Sequence, residues 1–98
     1  MDNIKIEEKN FDKFIYKGSL ALESYYDDNN SNKEVFDEFN YKLKAYRKLS
    51  EKNKADKEFI VDALILAINQ MGIENFVIYE DGDVEYNYNK NKKVGFFY

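Results

Sequence analysis

The sequence contains no cysteine, histidine, proline or tryptophan in its 98 residues. Without cysteine, the chain can form neither a disulfide nor a thiolate nucleophile. Without histidine, it lacks the commonest metal ligand and the usual general base at neutral pH. Most zinc sites, Ser-His-Asp triads and Cys-His dyads are therefore excluded.

Glycine and long apolar stretches are also scarce. The four glycines, at positions 18, 72, 82 and 95, are too far apart for a GxGxxG or P-loop motif, so no nucleotide cofactor is expected. No stretch approaches the ~20 apolar residues of a membrane-spanning helix. The N-terminus has no apolar run of signal-peptide length. We therefore expect a cytoplasmic protein, in the host cytoplasm if phage-encoded, with no membrane contact.

The residues that are present suffice for one packed domain over residues 1–98. Hydrophobic residues make up 44% of the chain and aromatic residues 17%, which argues against wholesale disorder. A chain of 98 residues leaves no room for a second domain. Its 15 basic and 19 acidic residues give a formal net charge of −4.

The segment of residues 10–27 has two interpretations. Apolar positions from Phe11 to Tyr26 repeat at helical spacing, and Asn10 would be the N-cap of that helix. The alternative is a hairpin that turns at Gly18. We favour the helix because its stripe continues across Gly18. A glycine inside a helix costs about 1 kcal/mol relative to alanine, so close packing would have to explain it.

Two more helices are predicted in the middle of the chain. One covers residues 33–52, with Ser31 and Glu34 as a capping box. The next has Asp56 as its predicted N-cap and runs to Met71, where Gly72 suits a left-handed end. Because this helix is apolar around almost its whole circumference, we expect it to be the buried centre of the fold.

The C-terminal part changes from helical to alternating periodicity. Asp81-Gly82 between two alternating segments predicts a hairpin, whose two-residue loop would pair Glu80 with Asp83. Residues 94–98 would return as a third strand. The predicted class is therefore α+β, with two or three helices packed on one face of a C-terminal three-stranded antiparallel meander.

That register predicts a protein-binding surface on the outer face of the sheet. Phe76, Ile78 and Phe97 would form its apolar centre. Four acidic residues would form its rim: Glu80, Asp81, Asp83 and Glu85. An apolar centre with a charged rim is ordinary interface anatomy. The alternative is that the N-terminal segment, with Ile4 and Ile6, covers this face.

Charge is segregated along the chain. Residues 42–57 carry seven basic and two acidic residues, a net charge of +5. A basic segment of this kind could follow a phosphate backbone. However, Arg47 is the only arginine, and arginine is the residue suited to bidentate phosphate contacts. We do not expect direct nucleic-acid binding, and keep a nucleic-acid-binding regulator as an alternative.

Neither metal binding nor catalysis is predicted. The acidic turn around Asp81 is too short to wrap an ion as a dedicated calcium loop does. Acid–base catalysis would need a buried carboxyl with a raised pKa, and the one carboxyl in apolar surroundings, Asp62, lies on a polar strip of its helix.

The composition favours a non-enzymatic inhibitor that binds another protein. Small acidic proteins without cysteine or cofactor are often made by phages or mobile elements, and by analogy of size and charge we expect an anti-CRISPR-like role. Such a protein would block a basic nucleic-acid-binding surface of a host protein. An immunity protein or antitoxin that neutralises a toxin is the alternative, since it would have the same size and charge and would differ only in its partner. A homodimer would be another use of the same surface.

Overall fold

A computed structural model describes residues 6–30, 32–73 and 75–86. These residues form three α-helices and one short antiparallel hairpin. In chain order the elements are α1 (Phe11–Asn29), preceded by a 3₁₀ turn (Glu8–Asn10), then α2 (Lys33–Arg47), α3 (Lys54–Met71), β1 (Val77–Ile78) and β2 (Val84–Glu85). None of these helices has the length and hydrophobicity that crossing a membrane requires.

The prediction of a helix rather than a hairpin near the N-terminus is confirmed by α1. Gly18 lies in its middle and is buried against α3. A Cβ atom at this position would lie 2.6 Å from Cδ2 of Leu64 and 3.4 Å from Cε1 of Phe14. The close approach of α1 to α3 therefore explains the glycine. The helix ends at Asn30, which takes the left-handed conformation with φ 52°.

The second helix is shorter than predicted and begins differently. It ends at Arg47, and the residue before its first turn is Asn32, in a left-handed conformation with φ 56°. The Asn32 side chain makes no cap bond in α2. Its Nδ2 atom donates instead to the carbonyl oxygens of Gln70 at 3.2 Å and Met71 at 3.4 Å. The start of α2 is thus tied to the end of α3.

The third helix is the centre of the fold, as predicted. It packs against both α1 and α2, and Ile60 and Leu64 have no exposed surface. Its cap is Asn53 rather than Asp56. Oδ1 of Asn53 accepts the backbone N–H of Asp56 at 2.8 Å, and the Asp56 carboxylate accepts the Asn53 N–H at 3.1 Å. Gly72 takes the left-handed position at the other end, with φ 74°.

The hairpin forms with a register one residue away from the predicted one. Val77 pairs with Glu85, and Ile78 pairs with Val84. The N–H of Gly82 donates to the carbonyl of Tyr79 at 2.9 Å. The loop therefore has three residues, 80–82, and Gly82 with φ 91° supplies the left-handed residue that ends such loops.

This register reverses the faces of the first strand. Phe76 and Ile78 pack against the core together with Val84 and Tyr86, while Val77 on the outer face is 43% exposed. The prediction that Phe76 and Ile78 point outward is therefore wrong, because a one-residue slip moves a strand's side chains to the opposite face. The predicted third strand, with Phe97, lies outside the described residues. The described part is mostly helical, with a short two-stranded antiparallel sheet.

Candidate functional site

The predicted acidic rim is exposed on the hairpin, but two of its four carboxylates form ion pairs within the chain. Lys13 Nζ lies 3.4 Å from Oδ2 of Asp81, and Lys17 Nζ lies 3.1 Å from Oδ1 of Asp83. Both lysines belong to α1. Exposed ion pairs of this kind contribute at most about 1 kcal/mol each. Together they align the hairpin with α1 and reduce the negative charge available to a partner.

Asp83, which precedes β2, and Glu85, within β2, have distinct environments. The Lys17 ammonium, together with the Val84 backbone N–H, lowers the pKa of Asp83 below its usual value. Glu85 accepts the hydroxyl of Tyr79 at 2.6 Å. That hydrogen bond and the negative charge of Glu85 raise the pKa of the Tyr79 phenol. Tyr79 and Glu85 are solvent-exposed, so their hydrogen bond stabilises the hairpin and does not mark an acid–base pair.

The tip of the hairpin is seated against the start of α1. A Cβ atom on Gly82 would lie 2.7 Å from the carbonyl oxygen of Asn10 and 3.2 Å from the nitrogen of Phe14. The Asn10 side chain donates to the Glu80 carbonyl at 3.5 Å. The predicted rim residues Glu80, Asp81, Asp83 and Glu85 and the ring of Tyr79 surround an open acidic surface on the other side.

A second surface, absent from the sequence prediction, lies between α2 and α3. We call it the α2–α3 groove. Its lining residues from α2 and the turn after it are Val35, Glu38, Phe39, Tyr41, Lys42, Ala45, Tyr46 and Leu49, and those from α3 are Asp56, Phe59, Ala63, Leu66, Ala67 and Gln70. Four of its large apolar side chains are exposed: Tyr41 at 76%, Phe59 at 58%, Leu66 at 51% and Leu49 at 41%.

The groove has two parts that meet at an ion pair. The larger part, about 510 Å³, lies between the end of α2 and the start of α3. The smaller part, about 120 Å³, lies between the start of α2 and the end of α3. Both are lined by Glu38 and Lys42, whose charged atoms are 3.4 Å apart. The two helices therefore run antiparallel along one continuous depression.

Lysines stand over the aromatic rings at the larger end. Lys42 Nζ is 5.8 Å from the ring centroid of Phe59, and Lys52 Nζ is 5.4 Å from that of Tyr46. Cations at this distance from a ring face are weakly attracted by it. The chemistry of the larger end is therefore apolar and aromatic with positive charge close by.

Tyr46, at the floor of this end, is 8% exposed. Its hydroxyl is buried without a hydrogen-bond partner among the described residues. Burial is the main reason that the pKa of this phenol is raised, and the negative charges of Asp12 and Asp56 add to it. Tyr46 is therefore a structural residue held in its neutral form.

The basic segment of residues 42–57 borders the larger end. Lys54 and Lys57 approach carboxylates, at 4.0 Å from Glu58 and 3.9 Å from Asp12. Lys44, Arg47 and Lys48 are exposed and form no ion pair within the described part of the chain. The acidic residues at this end are Glu38, paired with Lys42, Glu51 in the α2–α3 turn, Asp56, engaged in the cap of α3, and Glu58, near Lys54.

The apolar stripe of α3 that lines the groove is visible in the sequence, but the sequence analysis did not separate it from the buried stripe. On α3, Phe59, Ala63, Leu66 and Gln70 follow one another at steps of four, three and four, which defines a second stripe beside the buried one. The nearly complete apolar circumference predicts burial of almost the whole helix. Two neighbouring helices cover only part of a central helix, and the stripe through Phe59 and Leu66 stays open.

Comparisons with models of protein families, with curated proteins and with solved structures give no significant match to this chain. Among residues 6–30, 32–73 and 75–86, no group of three or more acidic side chains is arranged to hold a metal ion.

Proposed function

We propose that this chain is a non-enzymatic protein-binding inhibitor that occupies a surface of its partner through the α2–α3 groove. The observation that carries the proposal is the exposure of four large apolar side chains along one groove: Tyr41, Leu49, Phe59 and Leu66. Contiguous exposed apolar surface with a polar border often marks a protein interface.

The energetic argument rests on how much apolar surface remains uncovered. Burying a whole Leu or Phe side chain is worth about 1.5–3 kcal/mol, so covering a half-exposed one gains about 1 kcal/mol. Outside the groove, α1 also exposes large apolar residues, Tyr16 at 62% and Leu20 at 47%. The groove differs because its apolar side chains line a depression, into which a partner's side chains can insert as hot-spot contacts.

The acidic hairpin supports a second candidate contact, with a basic surface of the partner. Glu80 and Glu85 are exposed there, and Asp81 and Asp83 add to the field even though lysines face them. Charge complementarity of this type mainly speeds association and weakens with salt. An anti-CRISPR-like protein, an immunity protein and an antitoxin are versions of this proposal that differ only in the partner.

The test is quantitative affinity capture with matched variants. A Tyr41→Ser/Leu66→Ser protein should lose a partner that the unaltered protein retains from a lysate of the cells in which it acts. The control is Tyr16→Ser/Leu20→Ser, which changes the same residue types at similar exposure outside the groove. Circular dichroism should show that both variants fold. If every captured protein is retained equally by both variants, the groove is not the contact surface.

The contribution of the hairpin is separated by Glu80→Lys. This residue has no ion pair among the described residues, so reversal of its charge leaves the ion pairs of Asp81 and Asp83 with α1 intact. If the partner is basic, the association rate should fall and the dissociation rate should change little. An unchanged association rate would remove the acidic surface from the proposal.

The alternative of a nucleic-acid-binding regulator is tested with the same protein. Lys44, Arg47 and Lys48 are available for phosphate contacts. Binding to a random duplex, weakening steeply as salt rises, would favour this alternative. Absence of binding at low salt would dismiss it.

A further inference from the structure

We infer that a second copy of this chain covers the α2–α3 groove, in a symmetric dimer whose two α2 helices lie antiparallel across the interface. The two-fold axis would cross the groove between the levels of Glu38 and Lys42. This inference goes beyond the proposed function and does not depend on it. A partner protein and a second copy would use the same surface, so a partner would bind the monomer.

The exposed apolar surface of the groove is large enough for a stable dimer. A large aromatic side chain buries about 150–250 Å², so Tyr41 at 76% exposure and Phe59 at 58% together present about 270 Å². Leu49 at 41% and Leu66 at 51% raise this to about 350–400 Å². A standard interface buries about 800 Å² on each partner, of which a little over half is non-polar. The four side chains therefore supply most of the apolar area that such an interface needs.

The charges at the middle of the groove are self-complementary. Glu38 and Lys42 line both parts of the groove, and their charged atoms are 3.4 Å apart. With α2 helices antiparallel, Glu38 of each copy lies opposite Lys42 of the other, so the four charges alternate around the axis. If the axis instead ran along the helices, each α2 would face α3 of the other copy. The two charges would then meet the apolar residues Ala63 and Leu66.

The other carboxylates near the groove leave this arrangement open. Asp56, the remaining charged residue of the lining, is held in the cap of α3. Glu58 lies 4.0 Å from Lys54. Asp62 and Glu51 are exposed and lie outside the lining, where water and salt screen them. The groove therefore carries no strong charge of one sign, and a second copy is not repelled by it.

The two parts of the groove differ in size in a way that suits antiparallel copies. The larger part has about 510 Å³ and the smaller about 120 Å³. Leu66, which is 51% exposed, lines the smaller part. In the antiparallel dimer the smaller part of each copy faces the larger part of the other, so Leu66 enters beside Tyr41 and Phe59 of the other copy, twice per dimer. An axis along the helices would set the two larger parts against each other and leave the space between them unfilled.

The first experiment is sedimentation velocity of the full chain over a range of about 1–500 μM, which covers dimers of ordinary affinity. We expect an equilibrium between monomer and dimer that shifts with concentration. Leu66→Ser should raise the dissociation constant of the dimer about tenfold or more, as loss of a hot-spot contact does. The matched control is Leu20→Ser, a leucine of similar exposure outside the groove, which should not change it. Circular dichroism should show that both variants fold.

The position of the axis is tested by charge reversal. Glu38→Lys would bring four lysines together at the axis, and Lys42→Glu would bring four glutamates together, so each variant alone should be monomeric. An equimolar mixture of the two variants should form a heterodimer, because the lysines of one copy then face the glutamates of the other. Both variants lack the ion pair within the chain, so its loss cannot produce this difference between each variant and the mixture.

The outcomes separate this inference from the proposed function. An unaltered protein that stays monomeric at the highest concentration overturns the inference, and the capture experiment then decides the proposed function alone. A dimer that Leu66→Ser leaves unchanged, or a mixture of the charge variants that stays monomeric, also overturns the inference. A dimer that Leu66→Ser dissociates and the mixed charge variants restore supports it. If every captured protein is then retained equally by the groove variant and its control, the proposed function is wrong and the dimer stands.

Discussion

Because Gly18 contacts Leu64, we expect Gly18→Ala to destabilise the unaltered protein and to stabilise a protein in which Leu64 is replaced by alanine. Alanine is favoured over glycine inside a helix by about 1 kcal/mol. At position 18, however, the new methyl group would lie 2.6 Å from Cδ2 of Leu64, which has no exposed surface. Overpacking a core costs about 1–3 kcal/mol. Gly18→Ala alone should therefore lower the free energy of unfolding by up to about 2 kcal/mol.

Removing the opposing side chain should reverse the sign. Leu64→Ala alone should cost about 2–5 kcal/mol, as other large-to-small core substitutions do. In that background the methyl group at position 18 enters space that Leu64 has vacated, and the helix preference remains. Gly18→Ala should then stabilise the protein by about 1 kcal/mol. The coupling between the two positions is the difference, about 1–3 kcal/mol.

The assay is urea unfolding of the four proteins of this cycle, followed by circular dichroism. Gly72→Ala is the control, since its φ is 74° but no atom lies within 4 Å of its Cβ position. Its cost of about 1–2 kcal/mol comes from backbone strain alone and should be equal in both backgrounds. The reasoning is refuted if Gly18→Ala stabilises the unaltered protein, or if its effect does not depend on Leu64.

Three further predictions concern the hairpin and the start of α3. Gly82→Ala should destabilise the protein by about 2 kcal/mol or more in urea unfolding, because its methyl group meets backbone atoms at a positive φ; a neutral effect would contradict the seating of the hairpin. Lys17→Met should raise the pKa of Asp83 towards 3.8 in a carboxyl NMR titration. Because that pKa is lowered in the folded protein, the Asp83 contribution is present at neutral pH and is lost as pH falls below 3.8, and the variant should lack this loss; an unchanged Asp83 pKa would dismiss the ion pair. Asn53→Ala should cost about 1 kcal/mol by removing the cap that bonds Asp56, and unchanged unfolding would count against the capping box.

The helices were predictable because their apolar spacing and end residues agree. For α1 the stripe from Phe11 to Tyr26 outweighed the turn signal of Gly18, and Gly72 correctly marked the end of α3. Caps were less predictable, since several polar residues near a helix start can serve. Asn53 rather than Asp56 caps α3. Asn32 precedes α2 without a side-chain cap bond, and the predicted cap Ser31 lies outside the described residues.

The register of the hairpin could not be read from its turn. Asp81-Gly82 suits the centre of a two-residue loop and equally the last two positions of a three-residue loop. The longer loop packs Phe76 and Ile78 against the core and brings Gly82 into contact with α1. These are tertiary interactions, which the sequence of the turn does not reveal. The predicted acidic rim remains on the surface under either register, whereas Phe76 and Ile78 of the predicted apolar centre do not.

α3 carries two apolar stripes, and either of them could face the core if the helix were rotated about its axis. The stripe of Ile60 and Leu64 and the stripe of Phe59 and Leu66 are separated by about a third of a turn around the helix. Hydrophobicity alone distinguishes them poorly, so a collapsed chain could dock α3 in either rotation. Gly18 leaves a recess on α1 that accepts Leu64. The absence of a side chain at Gly18 thus stabilises the rotation of α3 in which Leu64 packs against α1, and the stripe of Phe59 and Leu66 then lies outside the core.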